Sequence, residues 1–575
     1  MTTHDPFELD IARHVWETRY RAPGEADIAA SWRRVARAIA AVERDADAWA
    51  ERFFDVLDGF RFLPGGRILA GAGTGRRVTL LNCFVMGALA DDLEHIFDAL
   101  KEGALTMQHG GGVGYDFSPL RPAGMVAHAS GTIASGPVSF MRIWDAMCAT
   151  LLSTGARRGA MMATLACDHP DIEIFIDAKR DAAELRHFNC SVLVSDAFMR
   201  AVADDTDWPL VFAGEMQRTV KARTLWTRLM RAAYDTAEPG VLFVDTINRD
   251  NTLAGIESLA AANPCGEIPL PPYGACDLGS LNLATFVRAP FESEAAFDHA
   301  ALEDVTRIAV RLLDDVIDAS RYPLPAQAAE AREKRRVGLG VTGLADALAM
   351  LNLDYDSAAA RDFAADLMRR VRDAAYRASV DIAREKGAFP RFDAEAFLAS
   401  GFASRLPADI RDAVAAHGIR NSHLLAIAPA GTISLLANNV SSGIEPVFAA
   451  AAERRMLGMD GRYTAHAVDD YACRLWKRQG RGGLPPAFVE ARQLDPRAHL
   501  LMQAALQPYV DNAISKTINV AADLPFGQFE NLYREAYALS LKGCTVFRPN
   551  PVTGAILSDT ADTATPCCGV EREAD

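Results

Sequence analysis

Apolar residues recur every three or four positions through SWRRVARAIAAVERDADAWAERFFDVL, residues 31–57. That spacing gathers them on one face of a helix, so residues 1 to about 60 are read as a helical N-terminal region. The same period returns over 301–321, where Val305, Ile308, Leu312 and Val316 share a face and the run stops before Pro323. It returns again over about 357–385, closed by Gly387 and Pro390, residues that end helices. Between these stretches lie segments rich in branched and aromatic residues: RRVTLLNCFVMG (76–87), VLFVDT (241–246), LLAIAPAG (424–431) and CTVFR (544–548). They suit buried strands, and strands alternating with helices indicate an α/β architecture. FLPGGRILAGAGTG (62–75) reads as a glycine-rich connection, and HGGGVGYDFSPLRPAG (109–124) as a close backbone approach leading into a strand. The latter opens no strand-helix-strand unit with an acidic residue at the required distance, which argues against a dinucleotide-binding fingerprint.

No repeat and no linker divides the chain before about residue 552, so 61–552 is expected to form one large domain. Residues 553–575 lack apolar periodicity and are expected to be a flexible tail. Half of the 575 residues are hydrophobic and 8% are aromatic, enough for a large core. A formal net charge of −15 argues against nucleic acid or an anionic membrane as partner, since both call for surplus Lys and Arg. The start, MTTHDPFELDIARHVWETRY, has no basic segment followed by an apolar one, and no uncharged apolar run is long enough to span a bilayer. A soluble, cytoplasmic protein is expected. Ten cysteines are scattered without a secretory signal, so a structural disulfide framework is not expected.

The chemistry concentrates in NPCGEIPLPPYGACDLGSLN, residues 263–282, which places Cys265, Glu267, Asn263 and Cys276 in a Pro- and Gly-rich loop. In an extended loop Cys265 and Glu267, two residues apart, fall on one face. A nucleophilic thiolate wants a cation beside it, whereas a carboxylate raises a thiol pKa. The pair therefore suits a neutral thiol working next to a general base. Metal ligation is not expected, because no CxxC pair and no flanking histidine is present.

Read with LLNCFV, SGPVSFM, STGARRGAMM, EPGVLFVDTIN, RRVGLGVTGLADAL, APAGTISLLANNVSSGIEP, SKTINV and LKGCTVFR, in that order, this loop resembles the ribonucleotide reductases from about residue 18 to 550. The resemblance implies a ten-stranded α/β barrel with a central finger loop. Cys265 would carry the thiyl radical that takes the substrate's 3′ hydrogen. Glu267 would be the base on the 3′ hydroxyl, and Asn263 would orient the ribose. Cys83 and Cys276 would deliver two electrons and close to a disulfide, the couple that loss of a 2′ hydroxyl as water requires. Cys148, Cys167, Cys190, Cys473 and Cys544 are read as small core residues.

The turn PAGTIS (429–434) would hold substrate phosphate through Ala430, Gly431, Thr432, Ile433 and Ser434, with Asn82 and Gly112 beside the ribose. Where relatives often have Ser or Thr, this chain has Gly66. STGARRGA (153–160) resembles the loop that couples a nucleoside triphosphate effector to substrate choice, with Arg157 and Arg158 as its phosphate or base partners and Asp91 on the effector ribose. Many relatives have Gln where Ser153 stands. An additional N-terminal ATP-sensing domain is not expected.

Relatives that import their radical from a second subunit carry adjacent tyrosines near the final strand; here the segment reads LKGCTVFRPN, and no two tyrosines are adjacent anywhere. The loop also differs from that of glycyl-radical relatives. The resemblance is thus to the class that uses adenosylcobalamin (coenzyme B12), and the absence of a DxHxxG motif fits that class. Cys567 and Cys568 in the tail could pass electrons from a thioredoxin-like or other dithiol reductant to the inner pair. A ribonucleotide, with diphosphates favoured, is the expected substrate, and a homodimer the expected assembly. Two alternatives stand beside this reading: the large subunit of a two-subunit reductase, and a non-catalytic nucleotide-binding regulator with the same barrel.

Overall fold

The computed structural model describes residues 6–126, 131, 133–151, 160–181, 183–457 and 463–549. The N-terminal apolar run forms two helices. Asp27 accepts from the Ala30 amide to start Ile28–Ala40, and Asp45 accepts from the Ala48 amide to start Ala46–Leu57. Each cap is worth about 1 kcal/mol. Trp32, Val35 and Ile39 of the first helix and Phe53, Val56 and Leu57 of the second are buried in one cluster. The glycine-rich connection that follows holds more structure than its composition implies, a strand at Phe62–Pro64 and a helix at Gly66–Gly71.

Five strands then lie side by side and parallel: Cys83–Val85, Gly112–Asp116, Met161–Ala166, Phe188–Val194 and Gly240–Phe243. Ala275–Asn282 pairs parallel with Val337–Thr342, and Thr517–Asn519 parallel with Gly543–Phe547. Between these two pairs, Leu339 bridges Leu425 and Ile427 bridges Ile514, both parallel. Segments 424–427 and 512–519 thereby complete a second set of five. The sets meet antiparallel at two seams, where Cys276 faces Cys83 and Gly543 faces Leu242. The ring is closed, so no strand in it is left with an unpaired edge. Phe62–Pro64 adds antiparallel to Ala275–Asn282 outside the ring.

LLAIA is not a regular strand. The Leu424 and Leu425 amides donate to the Asp511 carboxylate, each at 2.8 Å, instead of to a neighbouring backbone. The helices read from the sequence lie at His299–Ala319 and Ala358–Lys386, packed on each other. Arg311 ties the first of them to Glu43 (2.6 Å) of the N-terminal region and to Glu385 (2.7 Å) of the second. VLFVDT divides between the strand Gly240–Phe243 and the helix Val244–Asp250.

Inside the ring runs a hairpin in which Ala261–Ala262 pairs with Pro269–Leu270. Side chains and backbone of the wall hold it: Thr164 Oγ1 donates to Ala260 O (2.7 Å), Asn189 Nδ2 to Pro264 O (2.7 Å), and Ala513 N to Glu267 O (2.9 Å). The hairpin fits because the facing strand, Gly112–Asp116, has glycine at the two positions that meet it. A Cβ at Gly114 would lie 1.9 Å from Ala262 O, and one at Gly112 would lie 3.1 Å from Pro264 Cγ. Gly114→Ala is therefore expected to push the hairpin off the wall, destabilising the protein by about 1–3 kcal/mol and abolishing activity. Thermal unfolding and turnover check this, and a variant equal to the parent in both would refute the contact.

Candidate active site

The hairpin tip is a tight turn, with Gly266 N donating to Asn263 O at 3.0 Å and Gly266 at φ +80°, where a side chain would be strained. Asn263 organises what surrounds it. Its Oδ1 accepts from the Ile268 amide (3.0 Å), while its Nδ2 donates to Glu267 Oε1 (2.8 Å) and to Cys83 Sγ (3.2 Å). One amide thus joins the carboxylate of the finger to a thiol of the wall.

Glu267 is 1% exposed, and its Oε2 has no partner among the described residues. Burial pushes its carboxyl up to about 7, against the stabilising hydrogen bonds of its own backbone and Asn263. A carboxyl in that range takes and returns protons readily near neutrality. Cys83 and Cys276 face each other in register across an antiparallel seam, both buried and both thiols. Cβ atoms of such facing pairs stand about 4.5–5.5 Å apart, and a disulfide needs about 3.5–4.5 Å, so a small shift joins them. Burial, followed by the nearby Glu267, Cys276 and Cys265, raises the Cys83 thiol well above its ordinary pKa. Burial and then Asp277 do the same for Cys276, whose thiol donates to Asp277 O at 3.3 Å. These thiols are held neutral, so electrons leave them together with protons. Cys265, at the tip, is only half-buried.

The structure brings Asn263, Glu267, Cys83, Cys265 and Cys276 together. Asn82 joins them: it is 2% exposed, and both atoms of its amide lack a partner among the described residues. A buried amide in that state is suited to a polar ligand. The Gly112 amide donates to Asn82 O at 2.9 Å. The PAGTIS turn leads into a helix at Gly431–Leu436, with the Ala430 amide donating to Ser442 Oγ (2.8 Å). Thr432 is half-buried, whereas Ser434 is buried with its hydroxyl 3.2 Å from Thr342 Oγ1. Gly66 is the first residue of the helix Gly66–Gly71.

Asp91 stands apart from this group and is engaged with Arg121, at 2.6 Å to Nε and 3.1 Å to its amide. Arg157, Arg158, Cys567 and Cys568 lie outside the described residues. Sequence reasoning missed Asn189, which anchors the finger, and the inward-facing hydroxyls of Ser191, Thr517 and Thr545. The signal available was the alternation of Thr517 and Asn519 with the apolar Ile518 and Val520 in KTINV, but alternation alone does not say which face is the inside.

Comparison with known proteins accords with this geometry. The family model for the ribonucleotide reductase all-alpha domain matches residues 8–77, and that for the ribonucleotide reductase barrel domain matches residues 81–547. The chain belongs to the ribonucleotide reductase family. The vitamin B12-dependent ribonucleoside-diphosphate reductase of Mycobacterium tuberculosis (strain CDC 1551 / Oshkosh) is 40% identical over 554 residues, covering 92% of this chain and 77% of that protein. The protein of the same description from Thermoplasma acidophilum is 35% identical over 540 residues, covering 90% and 67%. The ribonucleoside-diphosphate reductase large subunit of vaccinia virus (strain Copenhagen) is 27% identical over 566 residues, covering 88% and 72%.

Proposed function

We propose that this chain reduces ribonucleoside diphosphates to 2′-deoxyribonucleotides, supplying precursors for DNA, with adenosylcobalamin as its radical source. The observation that carries the reading is the Asn263 amide bonded at once to Glu267 and Cys83, with Cys276 facing Cys83 across the seam. A nucleotide-binding regulator has no use for two facing neutral thiols beside a buried base.

The residues act in sequence on one sugar. Cys265, as a thiyl radical, takes the 3′ hydrogen while Glu267 accepts the 3′ hydroxyl proton. The Cys83–Cys276 pair supplies two electrons and two protons; the 2′ hydroxyl leaves as water, a C–H bond replaces it and an S–S bond forms. Cys265 then returns hydrogen to C3′. Asn82, Asn263 and Gly112 hold the ribose, and residues 430–434 its phosphates.

Adenosylcobalamin, when bound, contributes a cobalt–carbon bond whose homolysis starts radical chemistry. The chain fits such a group: Cys265 is the half-exposed thiol, and the wall near it has an opening at Gly240 that a Cβ would fill, 3.3 Å from two hydroxyls. The large-subunit alternative would need a tyrosine relay; the final strand carries Thr545, Val546 and Phe547 instead. Anaerobic incubation with each ribonucleoside diphosphate and a dithiol is expected to give deoxynucleotide only when adenosylcobalamin is added. Product without the cofactor, or none with it and effector nucleotides present, would reject the reading.

Arg157, Arg158 and Asp91 are proposed for effector binding, Cys567 and Cys568 for exchange with an external dithiol protein. Residues 1–60 and 61–552 are the proposed helical region and catalytic barrel; residues 553–575, the proposed tail, lie outside the described residues. No helix among the described residues is long and apolar enough to cross a membrane, and a reducing cytoplasm suits thiols that must be restored after each turnover. For the homodimer, helix Leu93–Gln108 offers a surface: Leu93 and Phe97, four residues apart, and Leu105, two such steps further on, share a face and are 62%, 49% and 39% exposed. Phe97→Glu is expected to convert dimer to monomer in light scattering; a parent protein already monomeric would reject this assembly.

A further inference from the structure

The helix Leu344–Met350 is buried throughout, yet its first turn carries an acid, Asp346. Asp346 Oδ2 accepts from the Ser441 amide (2.6 Å) and Oδ1 from the Ala472 amide (2.9 Å), while its own amide donates to Ser441 Oγ (3.3 Å). A second acid meets it. Asp470, also buried, caps the helix Tyr471–Arg478 by accepting from the Cys473 amide (3.0 Å), and the two carboxyl groups are hydrogen-bonded to each other. Such a bond needs a proton on one of them, since an ionised carboxylate can only accept. Burial, followed by the neighbouring Asp346, raises the Asp470 carboxyl well above the usual carboxylate range, so Asp470 holds that proton.

The pair stands behind the 430–434 turn. Ser441, held by Asp346, accepts through its carbonyl from Gly343 N (2.7 Å) and Thr342 Oγ1 (2.9 Å), and Thr342 Oγ1 lies 3.2 Å from Ser434 Oγ. The next residue, Ser442, accepts from the Ala430 amide through its Oγ at 2.8 Å. Both ends of the turn therefore hang on the 441–442 backbone, which Asp346 fixes. The titratable groups beside the pair are Tyr471 and Cys473, kept neutral by burial and then by the acids near them. Arg474 and Lys477 of the same helix are engaged elsewhere, with Glu8 (2.9 Å) and Asp469 (3.0 Å), and Arg478 with Glu8 (2.8 Å). Leu283–Phe286, also packed on Leu344–Met350, carries no titratable side chain. Among the described residues the proton itself, rather than a cation, balances the two acids.

We infer that Asp346 and Asp470 position the substrate's phosphate site by sharing one proton, whose loss loosens the 430–434 turn; the inference rests on the phosphate role given to that turn above. With the proton in place, the 441–442 backbone and the helix Tyr471–Arg478 are tied to one buried acid pair. Without it, two like charges in contact repel strongly in a dry interior, and the two segments are pushed apart. Neither acid touches the substrate, so each is a positioning residue. The proton belongs to the pair as a unit. Its loss opposes substrate binding as pH rises, the reverse of Glu267, whose ionisation aids turnover.

The test is equilibrium dialysis of the full chain and its Asp470→Asn and Asp346→Asn variants against cytidine diphosphate, with cytidine as the probe that lacks phosphate, at about pH 6 and about pH 9. The parent is expected to bind the diphosphate about tenfold more weakly at the higher pH, the contribution of one hydrogen bond to a charged group. Asp470→Asn, whose amide donates to Asp346 with no proton to lose, is expected to differ by less than about twofold between the two. Asp346→Asn turns one of two acceptors into a donor facing a backbone amide, and is expected to weaken the diphosphate about tenfold at both, with the loss confined to the ligand that carries phosphate. The same pH course in the parent and Asp470→Asn overturns the shared proton. A loss in Asp346→Asn that extends equally to cytidine overturns the positioning role; should that variant not fold, the parent and Asp470→Asn still decide. A parent that binds cytidine diphosphate no better than cytidine at either pH removes the phosphate role of the turn itself, and the pair's role with it.

Discussion

Cys265→Ser forms no deoxynucleotide: turnover is expected to drop by at least about 10³-fold, with ribonucleotide affinity unchanged. The substitution keeps the volume of the side chain at a half-buried tip, so the turn set by Asn263 and Gly266 persists. What changes is the bond that must be made and broken. A thiol exchanges hydrogen with a ribose C–H bond at little cost, whereas a serine O–H bond is too strong to be regenerated as a radical in each cycle. Product analysis with a parallel binding measurement separates this from misfolding. Retained turnover in the serine variant would remove the radical role from Cys265 and with it the reaction proposed for the chain.

Glu267→Gln is expected to lower turnover by about 10²–10⁴-fold, the usual loss when a positioned base is removed. The amide still accepts from Asn263 but takes no proton. In the parent, kcat/KM should rise with pH along a limb centred near 7, because the carboxyl must be ionised to act and burial raises it to about 7. The variant should lack that limb. Stability should respond in the opposite sense. With the folded pKa raised from 4.5 to about 7, the folded chain keeps a proton that the unfolded chain releases between those values. That stabilisation is complete below about pH 4.5 and is lost as pH rises through 7. At pH 8 the buried, half-partnered carboxylate costs the fold up to about 3 kcal/mol, so the glutamine variant should melt higher than the parent at pH 8 and about equally at pH 5. Equal melting at both would mean that Glu267 is better solvated than its burial indicates.

Both predictions concern residues that stand out in the amino-acid sequence alone. Cys265 and Glu267 share a short loop, and a local motif carries its own chemistry. Cys83 lies far from that loop in the chain and could be joined to it only through resemblance. The pairing of Cys83 with Cys276 arises where two parallel sets of strands meet antiparallel, an event that neither local sequence encodes. The raised pKa of Glu267 is likewise a product of enclosure by the whole barrel.

What the sequence determined by itself was whatever depends on near neighbours. The three- and four-residue period placed helices at Ile28–Ala40, Ala46–Leu57, His299–Ala319 and Ala358–Lys386. Glycine and proline marked the finger tip, and the side chains there named the chemistry. The tertiary structure alone decided what depends on distant pairing. It turned LLAIA from a strand into a bridge by giving two of its amides to Asp511. It set Gly114 against Ala262 and Cys83 opposite Cys276. Strand alternation says that residues take turns between two faces; only closure of the ring makes one of those faces the inside.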